Sequence, residues 1–160
     1  IGQGQNAYTP IQMANYIATV SNGGYRHKVS AIDNIKNHDN SRTIMEGERK
    51  SERIKLNDYE NLEHVKLGMK KVSTEGSASK TGTAQKSGIN PATGETYDDY
   101  AWFVAFGPYE DPEIAVAVVL FQGGSGGYAG PVAREIIAEY LGLNNTDEKG
   151  LLPFEIELAR

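Results

Sequence analysis

The sequence predicts an α+β fold in which an antiparallel sheet, a three-strand meander over about residues 79–122, is flanked by helices. Three segments with the composition of strands carry this prediction, at about 79–87, 100–107 and 113–122. The links between these segments are too short for a helical crossover, so successive strands are expected to pair antiparallel. The middle segment is apolar on both of its faces, and we therefore expect helices on both sides of the sheet.

The first flanking helix has a clear start and stop in the sequence. Thr9 is its expected N-cap, Pro10 its first residue and Gln12 its third, which together form a capping box. The Asn-Gly-Gly run at 22–24 ends it. Its buried face is expected to contain Ile11, Ala14, Ile17 and Ala18.

Two further helices are predicted from apolar residues at helical spacing. One spans about 58–72, is capped by Asn57, and is expected to bury Leu62, Val65, Met69 and Val72. The other begins at Pro131 and is expected to bury Val132, Ile136, Ile137 and Leu141. Between the first two helices we expect one or two short strands around Tyr25, Val29, Ile32 and Ile35. The mixed-charge run at 46–55 predicts a solvated hairpin or loop.

Composition narrows the class of protein. The 160 residues suffice for one domain, which we expect over 1–143, with a polar tail over 144–160. A net charge of −5 argues against binding to a nucleic-acid backbone. Cysteine is absent, which excludes disulfides and thiolate chemistry. The histidines His27, His38 and His64 have no paired spacing, so the sequence supports neither a metal site nor a Ser-His-Asp triad.

The most informative motif is Lys80-Thr81-Gly82-Thr83, at the start of the first predicted strand of the meander. Side chains alternate along a strand, so Thr81 and Thr83 point the same way and could bind one carboxylate. A free strand edge could pair with an extended peptide, and the N–H of Thr83 could stabilise an oxyanion. Gly82 would keep the opposite face flat, so that a helix can approach closely. Lys80 could lower the pKa of a nearby hydroxyl or relay its proton. The alternative is an edge strand that a lysine protects from aggregation.

Two other motifs are set aside on geometry. Ser77-Ala78-Ser79-Lys80 matches Ser-x-x-Lys, but that pair is needed on a helix facing the Lys-Thr-Gly strand, and one lysine cannot occupy both places. The glycine run at 123–127 has the spacing of a dinucleotide-binding loop. A dinucleotide site also needs a parallel βαβ unit, which antiparallel strands do not supply. We therefore expect a tight strand-to-helix connection there and no cofactor.

Taken together, the motifs resemble those of class B penicillin-binding proteins, in order and in approximate spacing over residues 1–142. The segments that carry the likeness are Gly2-Gln3-Gly4, Thr9-Pro10-Ile11-Gln12-Met13-Ala14, Asn22-Gly23-Gly24, Lys80-Thr81-Gly82-Thr83-Ala84-Gln85, Ala101-Trp102-Phe103-Val104-Ala105-Phe106, Gly123-Gly124-Ser125-Gly126-Gly127 and Pro131-Val132-Ala133-Arg134-Glu135-Ile136. The chain departs from the family in a short segment between Val72 and Lys80, and in Ser79, where a glycine is common.

The resemblance implies the C-terminal half of a D,D-transpeptidase domain, with a partial penicillin-binding-protein or serine β-lactamase-like fold. Such enzymes cross-link peptidoglycan stem peptides ending in D-Ala-D-Ala through an acyl-serine, and β-lactam antibiotics acylate the same serine. Carried over, Lys80 would contact the family's Ser-x-Asn element, Thr81 and Thr83 would bind the carboxylate, and the Thr83 N–H would complete the oxyanion hole. The parent protein is expected at the extracellular face of the bacterial cytoplasmic membrane, anchored by an N-terminal segment absent from this sequence.

The nucleophile is expected to lie upstream of Ile1, since the family's Ser-x-x-Lys and Ser-x-Asn elements precede the segment that this chain matches. The chain alone is therefore expected to be inactive, to require the N-terminal half of its own domain, and to self-associate through apolar surface that this half would cover. Two alternatives stay open at this stage. One is a fragment of a β-lactamase or β-lactam sensor, and the other is a non-catalytic module that acts by strand pairing.

Overall fold

The computed structural model describes residues 6–73 and 76–143, and it places an antiparallel sheet between helices, as predicted. The elements follow in the order α1 (Pro10–Ser21), β1 (Tyr25–His27), β2 (Asn34–Lys36), β3 (Thr43–Glu46), β4 (Ser51–Arg53), α2 (Glu60–Lys70), β5 (Ala78–Ala84), β6 (Tyr100–Gly107), β7 (Ile114–Leu120), a 3-10 helix (Gly126–Ala129) and α3 (Gly130–Tyr140). The predicted domain boundary, the 144–160 tail and the Gly2-Gln3-Gly4 motif lie outside the described residues.

The three-strand meander is confirmed. The strand order is β5-β6-β7, and both pairings are antiparallel. Strand β5 starts one residue earlier than predicted and ends at Ala84. It pairs with β6 along its full length, from Ala78 opposite Phe106 to Ala84 opposite Tyr100. The turn at 90–94 that links them is closed by the Gly94 N–H, which donates to Asn90 O at 2.8 Å.

The sheet is covered on both faces, as the apolar middle strand predicted. On one face, Ile17 of α1 and Met69 of α2 pack against Val104 and Phe106. On the other face, α3 contributes Ala133 and Ile137, which pack against Ala105 and Val116. Phe106 is completely buried and lies at the centre of the first layer. The hydrophobic effect therefore stabilises two apolar layers, one on each face of β6.

Helix α1 confirms its predicted cap but not its whole predicted face. The Gln12 N–H donates to Thr9 Oγ1 at 3.3 Å, and the Thr9 N–H donates to Gln12 Oε1 at 2.8 Å. The side chain of Ile11 is 55% exposed, so its predicted burial was wrong. The residues of α1 that pack on the sheet are Met13 and Ile17, and Val20 is also buried.

Helix α2 is shorter than predicted. It begins at Glu60, and its N-cap is Tyr59 without a side-chain cap, so Asn57 was wrongly assigned. The Glu60 N–H is met instead by Asp58 Oδ1 at 2.9 Å. Leu62 and Met69 are buried as predicted, whereas Val65 and Val72 are about half exposed because the described residues cover only one side of the helix.

Helix α3 follows the glycine run through a 3-10 helix, so the predicted tight strand-to-helix connection is confirmed. Ile137 is buried, but Val132 and Ile136 are more than two-fifths exposed and do not join the core, contrary to the prediction. The residue that does join it is Ala133, four positions before Ile137 on the same face of the helix.

Residues 25–56 form two small antiparallel pairs, β1 with β4 and β2 with β3. The predicted strands at Tyr25 and Ile35 are confirmed, whereas Val29 and Ile32 lie between strands. The run at 46–55 contributes β4 to the outer of these nested pairs.

A hydrogen bond from Arg49 and its positive charge lower the pKa of Asp33 below its usual range.

No helix among residues 6–73 and 76–143 is long and apolar enough to cross a membrane.

Truncation of the central aromatic residue should weaken the fold strongly. We expect Phe106→Ala to lower the free energy of unfolding by about 3–5 kcal/mol, because it removes a fully buried ring and leaves a cavity. Urea unfolding followed by circular dichroism measures the loss. The matched control is Tyr16→Ala, which removes an exposed ring from α1 and should cost less than about 1 kcal/mol. Equal losses for the two variants would contradict this description of the core.

Candidate active site

The Lys-Thr-Gly-Thr motif lies in the middle of β5, at an edge of the meander. Among the described residues, β5 pairs with β6 alone. Residues 80–83 are therefore extended, and one edge of their backbone faces away from the sheet. The predicted strand and its edge position are both confirmed. A strand in this position can accept an extended peptide by adding it to the sheet.

The register of β5 with β6 shows which way each side chain of the motif points. Gly82 lies opposite Trp102, and Thr81 lies opposite Phe103. Residues opposite each other in an antiparallel pair share a face. Trp102 is on the face that carries Val104 and Phe106, which α1 and α2 cover, and Phe103 is on the face that α3 covers. Lys80 and Gly82 therefore belong to the α1–α2 face, and the two threonines belong to the α3 face, together as predicted.

An open cleft of about 650 Å³ lies beside the motif on the α1–α2 face. Its floor is formed by β5 and by the aromatic residues Tyr100 and Trp102 of β6. The opposite wall is formed by residues 6–8 and Met13, at the start of α1. Most of the lining is apolar, and Lys80 adds a positively charged side chain to it. Such a cleft is suited to a ligand with an apolar body and an anionic group.

Lys80 is exposed and does not form an ion pair with any described residue. Its Nζ donates to the carbonyl of its neighbour, Thr81 O, at 2.5 Å. The amine thus lies along the strand at the edge of the cleft. The Ser-x-Asn element that it was expected to contact is not among the described residues, so this role of Lys80 stays a prediction.

The hydroxyl of Thr83 has a partner in the glycine run. Gly126 N–H donates to Thr83 Oγ1 at 3.3 Å. The sequence did not predict this contact, because the two residues are 43 positions apart. This contact holds the Thr83 side chain against the glycine run.

Gly82 was predicted to keep its face of the strand flat so that a helix could approach closely, and this prediction was wrong. A side chain at Gly82 would meet only the Cβ of Trp102, at 3.5 Å, and none of the described helices approaches it closely on that face. The close approach occurs on the threonine face, where Gly126 lies against the backbone of Gly82. The sequence contained both glycines, but only the folded structure shows which of them is required for this contact.

The aromatic residues on the floor of the cleft were not predicted as part of the site. The sequence places Trp102 and Tyr100 in the middle strand and does not show that they face a cleft. The antiparallel register could have identified them, since it sets Trp102 opposite Gly82 and Tyr100 opposite Ala84. Lys86 lies just beyond β5, with its Nζ 3.6 Å from the centre of the Tyr97 ring. This second cation is engaged in a cation–π contact outside the cleft.

The serines near the motif do not form a nucleophile–base pair with Lys80. Ser79 is buried in β5 and accepts a hydrogen bond from Ser73 Oγ at 3.0 Å. Ser77 immediately precedes the strand, and its Oγ lies 3.2 Å from the same Ser73 Oγ. The interpretation of Ser77-x-x-Lys80 as accidental agrees with this extended backbone. In the described part of the chain, histidines and acidic residues form no cluster suited to a metal ion.

Comparison with known proteins identifies the family of the chain. Residues 1–139 match the model of the penicillin binding protein transpeptidase domain. The chain is 28% identical over 172 aligned positions to penicillin-binding protein 2A of Bacillus subtilis, covering 93% of this chain and 24% of that protein. It is 32% identical over 157 positions to the peptidoglycan D,D-transpeptidase PbpA of Mycolicibacterium smegmatis, covering 88% of this chain and 31% of that protein.

Solved structures give the same result. Penicillin-binding protein A of M. tuberculosis, in its penicillin G acyl-enzyme complex, superposes with a TM-score of 0.72 at 30% identity, over 88% of this chain and 34% of that one. The chain spans less than a third of the length of the two curated relatives. The resemblance found in the motifs is therefore confirmed along most of the sequence, and the chain belongs to the penicillin-binding protein transpeptidase domain family.

Proposed function

We propose that this chain is the substrate-gripping part of a peptidoglycan D,D-transpeptidase, a serine-type acyltransferase that forms its acyl-enzyme on a serine supplied by other polypeptide. The observation that supports this most directly is the position of Lys-Thr-Gly-Thr on an edge strand beside an apolar cleft. The relatives named peptidoglycan D,D-transpeptidases, and the penicillin G acyl-enzyme of a structural relative, support the same chemistry.

In the proposed reaction, a stem peptide ending in D-Ala-D-Ala adds to the outer edge of β5 as an extra strand. Thr81 and Thr83 hydrogen-bond its terminal carboxylate, and the Thr83 N–H stabilises the oxyanion that forms when the serine attacks the penultimate carbonyl. Terminal D-Ala then leaves, and an amine of a second stem peptide resolves the acyl-serine. A β-lactam antibiotic would occupy the same edge through its own carboxylate.

Lys80 is proposed to act through its positive charge. An ammonium group at the edge of the cleft favours the anionic forms of hydroxyls and carboxylates within a few ångströms. In the complete domain it would face the Ser-x-Asn element and assist proton transfer to the leaving amine. The carboxylate of the substrate would gain from the same charge, so binding and the chemical step both depend on it.

The remainder of the domain is proposed to cover the side chains that this chain leaves exposed. Five aliphatic residues that helical periodicity assigned to the core are more than 40% exposed: Ile11, Val65, Val72, Val132 and Ile136. A helix usually buries its apolar stripe against another element. We propose that an N-terminal half, carrying the nucleophile, packs on these side chains, which lie on both sides of the sheet, with residues 1–143 as the C-terminal half and 144–160 as a polar tail. The parent is proposed to act at the extracellular face of the bacterial cytoplasmic membrane, held there by an N-terminal anchor.

The two alternatives receive less support. A β-lactamase or β-lactam sensor would share the Lys-Thr-Gly strand, but the family match and the named relatives are penicillin-binding transpeptidases. A non-catalytic strand-pairing module would explain the free edge of β5. It would give no reason for a lysine beside an apolar cleft, and a transpeptidase accounts for both features.

Labelling with a fluorescent penicillin tests the proposal. The parent protein should form a covalent adduct that survives denaturing electrophoresis. The isolated 160-residue chain should remain unlabelled, because its serines near Lys80 are not placed on a facing helix. The Ser77→Ala variant of the isolated chain is the control. Labelling of the isolated chain that this substitution abolishes would refute the proposed division between nucleophile and substrate-gripping strand.

The contribution of Lys80 can be measured in the parent protein. We expect Lys80→Ala to lower the second-order rate constant of penicillin acylation by about 10²–10⁴-fold, the range typical of a group that assists proton transfer. Lys86→Ala is the matched control, since it removes a neighbouring cation that lies over Tyr97 at 3.6 Å, is farther from Tyr100 at 5.7 Å, and does not line the cleft. Its acylation rate should stay within about twofold of wild type. Similar rates for both variants would show that Lys80 has no role in the reaction.

Self-association of the isolated chain follows from the exposed aliphatic side chains. Light scattering should show an average mass that rises with concentration, and replacing Val65 and Val72 by serine should reduce that rise. Ile44→Ser removes an exposed aliphatic from β3, away from the helices, and should leave the rise unchanged. A chain that stays monomeric at all concentrations would contradict this part of the proposal.

A further inference from the structure

Gly126 lies directly against the back of the Lys-Thr-Gly-Thr motif. A Cβ built on Gly126 would lie 2.5 Å from Gly82 O, 2.9 Å from Gly82 N and 2.8 Å from Trp102 O. These neighbours are backbone atoms of paired strands, which cannot rotate out of the way as a flexible side chain could. The 3-10 helix therefore rests directly on the peptide units of β5 and β6, opposite the cleft.

The surrounding loop is attached to the same two strands at further points. The Gly126 N–H donates to Thr83 Oγ1, as described above. Gly124 N–H donates to Asp99 O at 3.0 Å, immediately before β6. Gly123 is also packed too tightly for a side chain, since its Cβ would lie 2.9 Å from that of Ala101. The loop thus contacts both the backbone and the hydroxyl of residues that the proposed function places in the site.

We propose that Gly126 is a positioning residue: it sets the depth of Gly82 and Thr83 relative to the cleft, and thereby aims the Thr83 N–H at the developing oxyanion and the Thr83 hydroxyl at the carboxylate. This inference rests on the proposed function. Real Cβ contacts are essentially never shorter than 3.0 Å, so an alanine at 126 must move the loop or the strand by about 0.5 Å. Catalytic groups must be held within about 0.5 Å of their productive positions. A shift of this size is therefore expected to slow the reaction.

The glycine run supplies its own control. Gly127 is the next residue of the same 3-10 helix, but a Cβ there would meet only Ser125 Oγ, at 3.8 Å, an ordinary contact. Gly126→Ala and Gly127→Ala therefore make the same chemical change at adjacent positions. Only the first presses on β5.

The test measures penicillin acylation in the parent protein, with each rate expressed per folded molecule. At saturating penicillin we expect the first-order acylation rate of Gly126→Ala to fall about 10–100-fold, with a smaller change in the drug's dissociation constant. Gly127→Ala should stay within about twofold of wild type. A merely structural role would reduce the folded fraction but leave the rate per folded molecule unchanged, and that result would overturn the inference.

Failure of the proposed function gives a different result. A wild-type parent that penicillin does not acylate would sink the proposed function, whereas an acylated parent with equal rates for both variants would sink only the role of Gly126.

If Gly126→Ala does not fold in the parent, hydrogen exchange on the wild-type parent protein decides. The Gly126 amide should exchange at least about tenfold more slowly than in an unstructured peptide, because it donates to Thr83 Oγ1. Exchange at the unstructured rate would overturn the inference.

Discussion

The pairing of β5 with β6 is the interaction on which the other features of the site depend. It holds residues 80–83 extended, sends the two threonine side chains to one face and Gly82 to the other, and leaves the outer edge of the strand facing away from the sheet. The pairing is stable because β6 is the strand buried on both faces, with Phe106 completely enclosed. The edge strand that presents the motif is therefore supported by the most buried strand of the sheet.

The two faces of the sheet have different roles. The threonines point toward the α3 face, where the glycine loop packs on Gly82 and Thr83 at short distances, and both threonines also line the open cleft. The α1–α2 face carries Lys80 and an open cleft with aromatic walls. A site that is rigid behind and open in front can hold its hydrogen-bond donors in place before a substrate arrives, and such preorganisation is how enzymes stabilise developing charge without moving at the moment of reaction.

Much of this arrangement could be predicted from the sequence, since local signals agree with the fold. The capping box at Thr9 and Gln12, the antiparallel meander and the edge position of the motif follow from patterns within a few residues of one another. The contacts of Gly126 with Gly82 and Thr83 could not be predicted, because they join segments that only the folded chain brings together. Periodicity also assigned Ile11, Val65 and Val132 to the core, although they are exposed here. It identifies apolar stripes correctly but does not show which element covers them.

We propose that the outer edge of β5 and the hydroxyls of Thr81 and Thr83 hold the carboxylate and the peptide-like part of the ligand. The most direct measurement is a crystal structure of the parent protein acylated by penicillin. We expect the drug carboxylate to lie within about 3.2 Å of one or both threonine hydroxyls. The acyl carbonyl oxygen of the drug should accept a hydrogen bond from the Thr83 N–H at a similar distance. A drug bound elsewhere, with the edge of residues 80–83 covered by another strand of the complete sheet, would contradict it.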